Sequence, residues 1–337
     1  MVFSIIRTWL NDITWPFATN ESHQSKNIAK LQLINTRPFQ KNITESELSL
    51  NAQASRTDGQ NQVVQSRMDN IEPADVLGQS HSSQPSPFLH DPYLGLPVIG
   101  SGMTGIILKM EDRAVKKAKQ YELGHLQEGD VEYINKINQQ ILENEIQVFE
   151  RLGSFEGIIP VFRTSQYGIE LALAQGDLES YLETYPEPEN SLKTSWMSSL
   201  VNTFAYVHSH NIFVDDIALR NILILDEQLK LADFGQSILL PPDIDITSAY
   251  ENDLNVRIEI LHVGWLLYSI ASWHVHKYYF FGPENPDLSW PEADSFPDVD
   301  DFLWGKIIKK CWHGEYTSMD DVKDEADQLL SPLGGCD

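Results

Sequence analysis

The chain has 337 residues, of which 42% are hydrophobic, and a formal net charge of −25. This length accommodates a two-lobed domain of about 250 residues together with a tail. No apolar run reaches the roughly 18–20 residues that span a bilayer, which argues against a transmembrane segment. The chain start lacks a signal-peptide pattern, and the two cysteines have no metal-ligand spacing. We therefore expect an intracellular protein, cytoplasmic or nuclear, in a reducing compartment.

The negative charge is concentrated in one part of the chain. Residues 1–90 carry 7 basic and 8 acidic side chains, whereas residues 91–337 carry 17 basic and 41 acidic ones, a net of −24. Such a surface repels nucleic acid and anionic membranes, because both are bound through neutralised phosphates. It would attract cationic protein segments; improved solubility alone is the competing explanation.

The first 90 residues differ in composition from the rest. The pattern of residues 1–17 predicts an amphipathic helix that ends at Pro16. We expect this helix to dock on protein, because it lacks the cationic face of a membrane-binding helix. The apolar positions of this helix are Val2, Ile5, Ile6, Trp9, Leu10 and Ile13. Residues 18–90 are rich in Ser, Gln, Asn and Thr without apolar periodicity, which predicts disorder.

From residue 91 to about 332 the pattern is that of a packed domain. Short apolar runs in "LPVIGSGMTGIILKM", "EDRAVKKA", "IIPVFRT" and "YGIELAL" predict strands, and residues 132–152 have helical periodicity. Further along, the sequence predicts a helix over 190–209, short strands at 222–225 and 228–231, and helices centred near 264, 307 and 324. The expected class is α+β and bilobal, with a strand-rich lobe at 93–174, a helical lobe at 175–332 and a ligand cleft between them.

A glycine pattern, Gly100-Ser-Gly102-Met-Thr-Gly105, lies between the first two predicted strands. Glycines let the backbone approach a phosphate closely and offer its N–H groups. Taken alone the pattern is weak, because glycines in a hairpin more often only form a turn. It is not a dinucleotide fingerprint either, since a strand follows it where that motif needs a helix.

Lys116 and Glu145 each occupy a position that is unfavourable for a lone charge. Lys116 shares a strand face with Ala114 and Ala118, and Glu145 lies at the centre of an apolar helical stripe. A buried acid costs several kcal/mol unless it is paired. Each charge would neutralise the other in these apolar surroundings, so the sequence predicts an ion pair between Lys116 and Glu145.

The stretch "FVDDIALRNILILDEQLKLADFGQS" concentrates oxygen donors on two loops that a short hairpin joins. Asn221 and Asp233 suit Mg²⁺, which takes a few protein oxygens and completes its shell with phosphate and water. Asp216 is then placed to accept a proton from an attacking hydroxyl. Asp and Asn are also common in turns for local reasons, but their combination with the glycine pattern and the Lys–Glu pair favours chemistry.

Together these residues resemble the protein kinase family over about positions 93–330. The matching elements are the three glycines, the "AVK" of Lys116, the helical Glu145, the Asp216-x-x-x-x-Asn221 spacing and "DFG" at 233–235. The resemblance implies ATP and Mg²⁺ between the lobes, metal held by Asn221 and Asp233, and transfer to a protein hydroxyl near Asp216, with Lys116 and Glu145 as catalytic partners. The residues it places around ATP are Ile99, Gly100, Ser101, Gly102, Gly105, Ile107, Ala114, Lys116, Leu171 and Leu173. The adenine-binding hinge is expected within Glu170–Ala174.

Several positions depart from the family pattern. Val214-Asp215-Asp216 replaces His-Arg-Asp, and Asp215 would repel the activation-loop phosphate that the family's Arg receives. We therefore hypothesise that phosphorylation of Thr247, Ser248 or Tyr250 is not the activating switch. "AYE" at 249–251 stands for Ala-Pro-Glu, and "CWHGEYTSMDD" lacks the Arg that pairs with that Glu.

Two further departures concern the catalytic loop. Glu259 stands where the family has an Asp that anchors this loop, so we expect a shifted anchor. "DIALRN" resembles the tyrosine-kinase loop through Arg220, while Ala218 replaces the Lys of serine/threonine kinases. The acceptor residue therefore stays open between Ser/Thr and Tyr.

Three functions remain in competition on the sequence. The leading one is an active protein kinase, and the second is a pseudokinase scaffold that acts through protein interaction with weak or no catalysis. A small-molecule phosphotransferase is the third. The oligomeric state stays open.

Overall fold

The computed structural model describes residues 91–122 and 128–331, which form a strand-rich region with one long helix followed by a mainly helical region. The α+β, bilobal class that the sequence predicts is confirmed. The predicted helix at 1–17 and the predicted disorder at 18–90 lie outside the described residues.

The first region is a five-stranded antiparallel sheet with the strand order β1-β2-β3-β5-β4. Its elements are β1 (Val98–Ser101), β2 (Gly105–Met110), β3 (Arg113–Ala118), α1 (Glu128–Leu152), β4 (Val161–Ser165) and β5 (Gly168–Ala172). Both faces of the sheet are covered. Val115 packs with Tyr93 and Leu108 on one face, while Ala114 and Ala118 belong to the main apolar core, to which α1 contributes.

The second region consists of helices and two small sheets, ordered β6-β8-β9 and β10-β7. Its elements are β6 (Gly176–Asp177), α2 (Leu178–Thr184), α3 (Asn190–Ser209), β7 (Ile212–Phe213), β8 (Ile222–Leu225), β9 (Gln228–Leu231), β10 (Ile238–Leu239), α4 (Val256–Ser272), α5 (Gly305–His313) and α6 (Met319–Leu330). The sequence did not predict α2, which starts where the Asp177 side chain accepts a hydrogen bond from the Ser180 N–H.

The helix α4 lies at the centre of the second region. It is buried on nearly all sides, which is typical of a core helix rather than of an amphipathic surface helix. Asn255 caps its start by accepting from the Ile258 N–H, and Trp273, at a φ of 53°, ends it in the left-handed conformation. The helix α5 packs along α4. Among the described residues, no helix is long and apolar enough to cross a membrane.

One apolar core runs through both regions and joins them. The end of α1 contacts α3, because the Tyr206 hydroxyl donates to the Leu152 carbonyl at 2.5 Å and the Tyr206 ring stacks on Phe155 with centroids 3.8 Å apart. Leu152 and Phe204 are buried in this same core. The sheet with α1 is therefore attached to the helical region beside the predicted cleft.

The close packing of α4 on α5 predicts opposite effects for the same substitution at two helical glycines. A Cβ at Gly264 would lie 2.8 Å from the Cβ of Cys311 and 3.0 Å from the ring of Trp312, whereas a Cβ at Gly129 in α1 meets nothing within 4 Å. Gly264→Ala should lower the free energy of unfolding by about 1–3 kcal/mol through overpacking. Gly129→Ala should raise it by up to about 1 kcal/mol through helix propensity. Urea denaturation of both variants measures the two changes in unfolding free energy, and changes of equal sign would contradict the close packing of α4 on α5.

Candidate functional site

The side chains of Lys116 and Glu145 meet where β3 faces α1. The Lys116 Nζ lies 2.9 Å from Oε1 and 2.7 Å from Oε2 of Glu145, and both residues are buried. The strand places Lys116 on the face that α1 covers, and the helix presents Glu145 from its apolar stripe. The structure therefore brings together the two charges that the sequence paired.

Asp233 completes this cluster from the helical region. Its Oδ1 lies 2.7 Å from the Lys116 Nζ, and the N–H of the next residue, Phe234, donates to Glu145 Oε1 at 3.2 Å. The backbone at Asp233 has a φ of 60°, a conformation that L-residues adopt rarely and that is often found at functional sites. Strand, helix and loop thus converge on a single ammonium group.

The three charges shift one another's ionisation. Burial raises the pKa of Glu145 to about 7, although the Lys116 ammonium opposes the shift. Burial alone would lower the pKa of Lys116, but the carboxylates of Asp233 and Glu145 raise it well above its usual range. Desolvation would raise the pKa of Asp233, yet Lys116 outweighs it and lowers that pKa. Lys116 and Asp233 are therefore both charged at neutral pH.

Asp216 lies in a network of hydrogen bonds on the loop between β7 and β8. The Arg220 Nη2 donates to both of its carboxylate oxygens, at 2.6 and 2.8 Å, and the Asn221 amide donates to its Oδ2 at 2.9 Å. The same amide donates to the Asp216 carbonyl at 2.9 Å. Asp216 is thus fixed in orientation, and the carbonyl oxygen is the atom of the Asn221 side chain left for another ligand.

The hairpin of β8 and β9 places Asn221 and Asp233 at the same end. Ile222 pairs with Leu231, and the Ala232 N–H donates to the Asn221 carbonyl at 2.9 Å. One oxygen donor thus precedes the hairpin and the other follows it. The structure brings together the two residues that the sequence assigned to a metal.

The glycine pattern forms the turn between β1 and β2. The Gly102 N–H donates to the Gly105 carbonyl at 2.8 Å, and Lys119 Nζ donates to the Gly102 carbonyl at 3.2 Å. A Cβ at Gly105 would lie 3.2 Å from the Lys117 carbonyl, so this position favours glycine for space. Lys119, which ties the turn to the end of β3, was not singled out from the sequence.

The remaining residues assigned to the nucleotide lie in and beside this sheet. Ile99 and Ser101 are in β1, Ile107 in β2 pairs with Gly100, and Ala114 in β3 pairs with Leu171 in β5. Glu170 and Leu171 are strand residues, and Glu170 is held by Arg113 and the Tyr93 hydroxyl. The connection between β5 and β6 therefore starts at Leu173. Of the range predicted for the hinge, Leu173 and Ala174 lie in this connection.

A second set of contacts fastens α1 to the segment that follows Asp233. The Asn144 amide donates to the carbonyls of Gly235 and Ser237 at 3.1 and 2.8 Å. The Arg151 guanidinium donates to the Leu240 carbonyl at 2.6 Å. Neither Asn144 nor Arg151 was singled out from the sequence, because a polar residue that reaches a distant carbonyl leaves no spacing signal.

Glu259 of α4 holds the loop that precedes Asp216. Its Oε1 accepts from the Val214 N–H at 2.5 Å, and its Oε2 lies 2.9 Å from the His208 Nε2. Glu259 is fully buried. The anchoring contact that the sequence suggested for this residue is present, with His208 as an additional partner on α3.

Comparison with known proteins gives a family match over this region. Residues 93–252 match the family model described as the protein kinase domain. The human testis-specific serine/threonine-protein kinase 4 is 36% identical over 117 residues, 33% of this chain and 34% of that protein. Serine/threonine-protein kinase PKH2 of Saccharomyces cerevisiae is 28% identical over 125 residues, 37% of this chain and 11% of that protein. The similarity spans about a third or less of either relative.

Residues 93–252 therefore form a protein kinase domain, in agreement with the resemblance of the motifs. In this kinase domain Val214 is buried where the family has His, and Asp215 is buried at a φ of 62°. Glu251 is exposed, and none of the cations in the described ranges lies within ion-pair distance of it. The Arg257 guanidinium instead lies over the Trp290 ring at 4.9 Å and against the Gly314 turn that ends α5.

The raised pKa of Glu145 predicts a specific pH dependence of stability for this kinase domain. In the unfolded chain Glu145 titrates near 4.5, so between that pH and about 7 the folded state binds more protons at this residue. The stability contributed by Glu145 therefore falls as the pH rises, by at most about 1 kcal/mol per pH unit. Glu145→Gln lacks this titration. The free energy of unfolding of the wild type, minus the free energy of unfolding of the Glu145→Gln variant, should be greatest near pH 5 and should decline toward pH 8.

Urea unfolding of both proteins at pH 5, 6, 7 and 8 measures this difference. Glu143→Gln is the matched control, because Glu143 is exposed on the same helix. A difference that stays constant or grows with pH would show that Glu145 is ionised throughout, contrary to the raised pKa.

Proposed function

We propose that this chain is an ATP-dependent protein kinase that transfers the γ-phosphoryl group to a protein hydroxyl. The observation that carries the proposal is the double contact of Lys116 with Glu145 and Asp233 at 2.7–2.9 Å. It joins the sheet, α1 and the helical region into one charged cluster, next to the loop that orients Asp216. Phosphoryl transfer depends mainly on this kind of positioning and charge neutralisation.

The donor set at the end of the β8–β9 hairpin fits Mg²⁺. Asp233 is ionised at neutral pH, and the Asn221 carbonyl oxygen is the side-chain acceptor left after its amide binds Asp216. Both are hard oxygen donors, and few protein ligands are usual for this ion. Bound there, Mg²⁺ would neutralise phosphate charge and orient the transferred group.

The chain's own residues divide the remaining tasks. Lys116 supplies the positive charge for the α- and β-phosphates of ATP, and Glu145 keeps it in place. The backbone N–H groups between Gly100 and Gly105 cover the phosphates. Asp216 accepts the proton of the attacking hydroxyl, and Arg220 holds both of its oxygens in a fixed orientation.

The contacts of α1 support a phosphate-independent active state. In the family the Arg of His-Arg-Asp receives an activation-loop phosphate, and here Asp215 takes that position. Asn144 and Arg151 instead bind the carbonyls of residues 235, 237 and 240 directly. We propose that these two side chains hold the segment after Asp233 in place without phosphorylation.

A pseudokinase scaffold is the second candidate, and the departures on the substrate side favour it. Asp215 replaces an Arg, and the segment from Asp233 to Glu251 is short. Two measurements on the same protein separate the candidates: thermal stabilisation by Mg-ATP and phosphate transfer. Stabilisation without transfer supports a nucleotide-binding scaffold, and the absence of both supports a scaffold that does not bind nucleotide.

Three substitutions test the assignments of the leading proposal. Saturating Mg-ATP should raise the thermal midpoint of the wild type by several degrees, because binding to the folded state at a hundred times the Kd contributes about 2.7 kcal/mol. Asp216→Asn should keep this stabilisation and lower the transfer rate by about 10²–10⁴-fold. Lys116→Met and Asp233→Asn should lose both stabilisation and transfer.

Transfer is measured with radiolabelled ATP, on the protein itself and on basic test peptides with a Ser or a Tyr acceptor. Glu143→Gln is the control for the variants, since it alters an exposed carboxylate on α1. Transfer that survives Asp233→Asn would contradict the metal assignment. A Ser or Tyr preference of the wild type identifies the acceptor, on which "DIALRN" and the serine/threonine names of the two relatives disagree.

The phosphate-independent state has its own test. Thr247, Ser248 and Tyr250 are exposed, so Thr247→Ala/Ser248→Ala/Tyr250→Phe should fold and retain transfer within about twofold of the wild type. Asn144→Leu should lower the transfer rate at least tenfold, because two carbonyls lose their donor. Gln147→Leu, on an exposed position of the same helix, should leave the rate unchanged. A triple variant that loses transfer, with the wild type activated by phosphate, would show that phosphorylation is the switch.

A further inference from the structure

A pocket of about 250 Å³ lies in the helical region, outside the set of residues assigned to ATP and magnesium. Its walls come from the end of the Asp233–Glu251 segment, from the start of α4 and from the irregular chain at 280–290. The residues that form it include Tyr250, Asp253, Ile258, Phe280, Leu288 and Trp290. Its volume is below the roughly 300–1,000 Å³ of drug-sized ligand sites, which suits a single large side chain.

The floor of the pocket is apolar and firmly held. Ile258 and Phe280 are buried in the main core. The Trp290 Nε1 donates to the Trp312 carbonyl at 2.9 Å, and the Arg257 guanidinium covers the Trp290 ring. The ring of Trp290 is thus fixed before any partner arrives, and preorganisation of this kind lowers the entropy cost of binding.

The pocket includes one residue in an unfavourable backbone conformation. Leu288 has a φ of 50°, in the left-handed region that bulky side chains such as Leu avoid. The turn at Leu288 is held by Asn285, whose carbonyl accepts from Leu288 N–H and whose Oδ1 accepts from Ser289 N–H. Leu288 is nevertheless 39% exposed, and it lines the pocket. Strain kept at an exposed apolar rim indicates a binding role.

The charge around the pocket selects the kind of partner. Residues 241–303 contain twelve acidic side chains and two basic ones, Arg257 and Lys277, and every acid except Glu259 is exposed. A basic segment is therefore attracted to this surface. A second copy of this acidic chain would be repelled. Residues 1–17 carry one Arg and one Asp, so charge gives them no advantage here.

We propose that this pocket docks an apolar side chain carried by a basic segment of a protein partner. The apolar side chain fills the space between Ile258, Phe280 and Trp290, and basic residues on either side of it face the surrounding acids. Because docking requires no phosphoryl transfer, the proposal applies to an active kinase and to a scaffold alike.

Fluorescence anisotropy with the full chain tests the proposal directly. The probe is a labelled twelve-residue peptide with arginines on both sides of one leucine; the matched peptides replace the leucine by serine or the arginines by glutamates. The leucine–arginine peptide should bind at least fivefold more tightly than the serine peptide, and the glutamate peptide should not bind. Its affinity should also fall severalfold between 50 and 300 mM salt, because the acids are exposed.

Leu288→Gly separates docking from folding. Glycine accepts a φ of 50° without strain, so the thermal midpoint should stay unchanged or rise, while peptide affinity should fall at least fivefold. Tyr250→Ala, at a 64% exposed position, should weaken binding in the same direction without a risk to folding. Leu303→Ser is the matched control, since Leu303 is exposed in the same acidic stretch outside the pocket, and it should bind within twofold of the wild type.

Three outcomes would overturn the proposal. Equal affinity for the leucine and serine peptides would show that the acids alone attract the probe. Unchanged affinity of both Leu288→Gly and Tyr250→Ala would place the peptide elsewhere. Tighter binding by a peptide of residues 1–17 than by the basic peptide would make the chain's own start the occupant.

Discussion

Lys116 carries a charge that the fold cannot bury without partners, and its two partners come from distant parts of the chain. Glu145 is 29 residues away and Asp233 is 117 residues away. Removing either leaves a buried charge incompletely compensated, which is costly in a low-dielectric interior. The two carboxylates are not equivalent, because the Glu145 side chain is 1% exposed and that of Asp233 is 46% exposed. Glu145 is thus the enclosed partner of Lys116, and Asp233 is the carboxylate that a ligand can reach.

Helix α1 connects this charge cluster to the segment that begins at Asp233. Besides Glu145 it contributes Asn144 and Arg151, which donate to carbonyls at 235, 237 and 240, and Ile141, whose Cγ2 would lie 2.7 Å from a Cβ at Gly235. A shift of α1 would disturb the ion pair, the hydrogen bonds and the packing at Gly235 together. The charge cluster and the segment after Asp233 therefore both depend on the position of α1.

The sequence predicted those parts of the site that break a local rule. Lys116 and Glu145 are charges within apolar patterns, so each required a partner, and the periodicity of strands and helices located both. Asn144 and Arg151 break no rule, because polar residues are ordinary on a helix surface. The helix α2 has only seven residues, which is too short for a periodic signal. The pocket at Leu288 is built from irregular backbone, where a left-handed leucine has no sequence signature.

The departures from the kinase pattern are accompanied by substitute contacts. Glu259 replaces the family's Asp and still accepts from the Val214 N–H, with its second oxygen on His208. Where the closing helices lack the family's Arg, Arg257 at the start of α4 reaches the turn at the end of α5, although it does not pair with Glu251. The loop before Asp216 therefore keeps its attachment to α4, through a side chain with the same charge as the family's Asp.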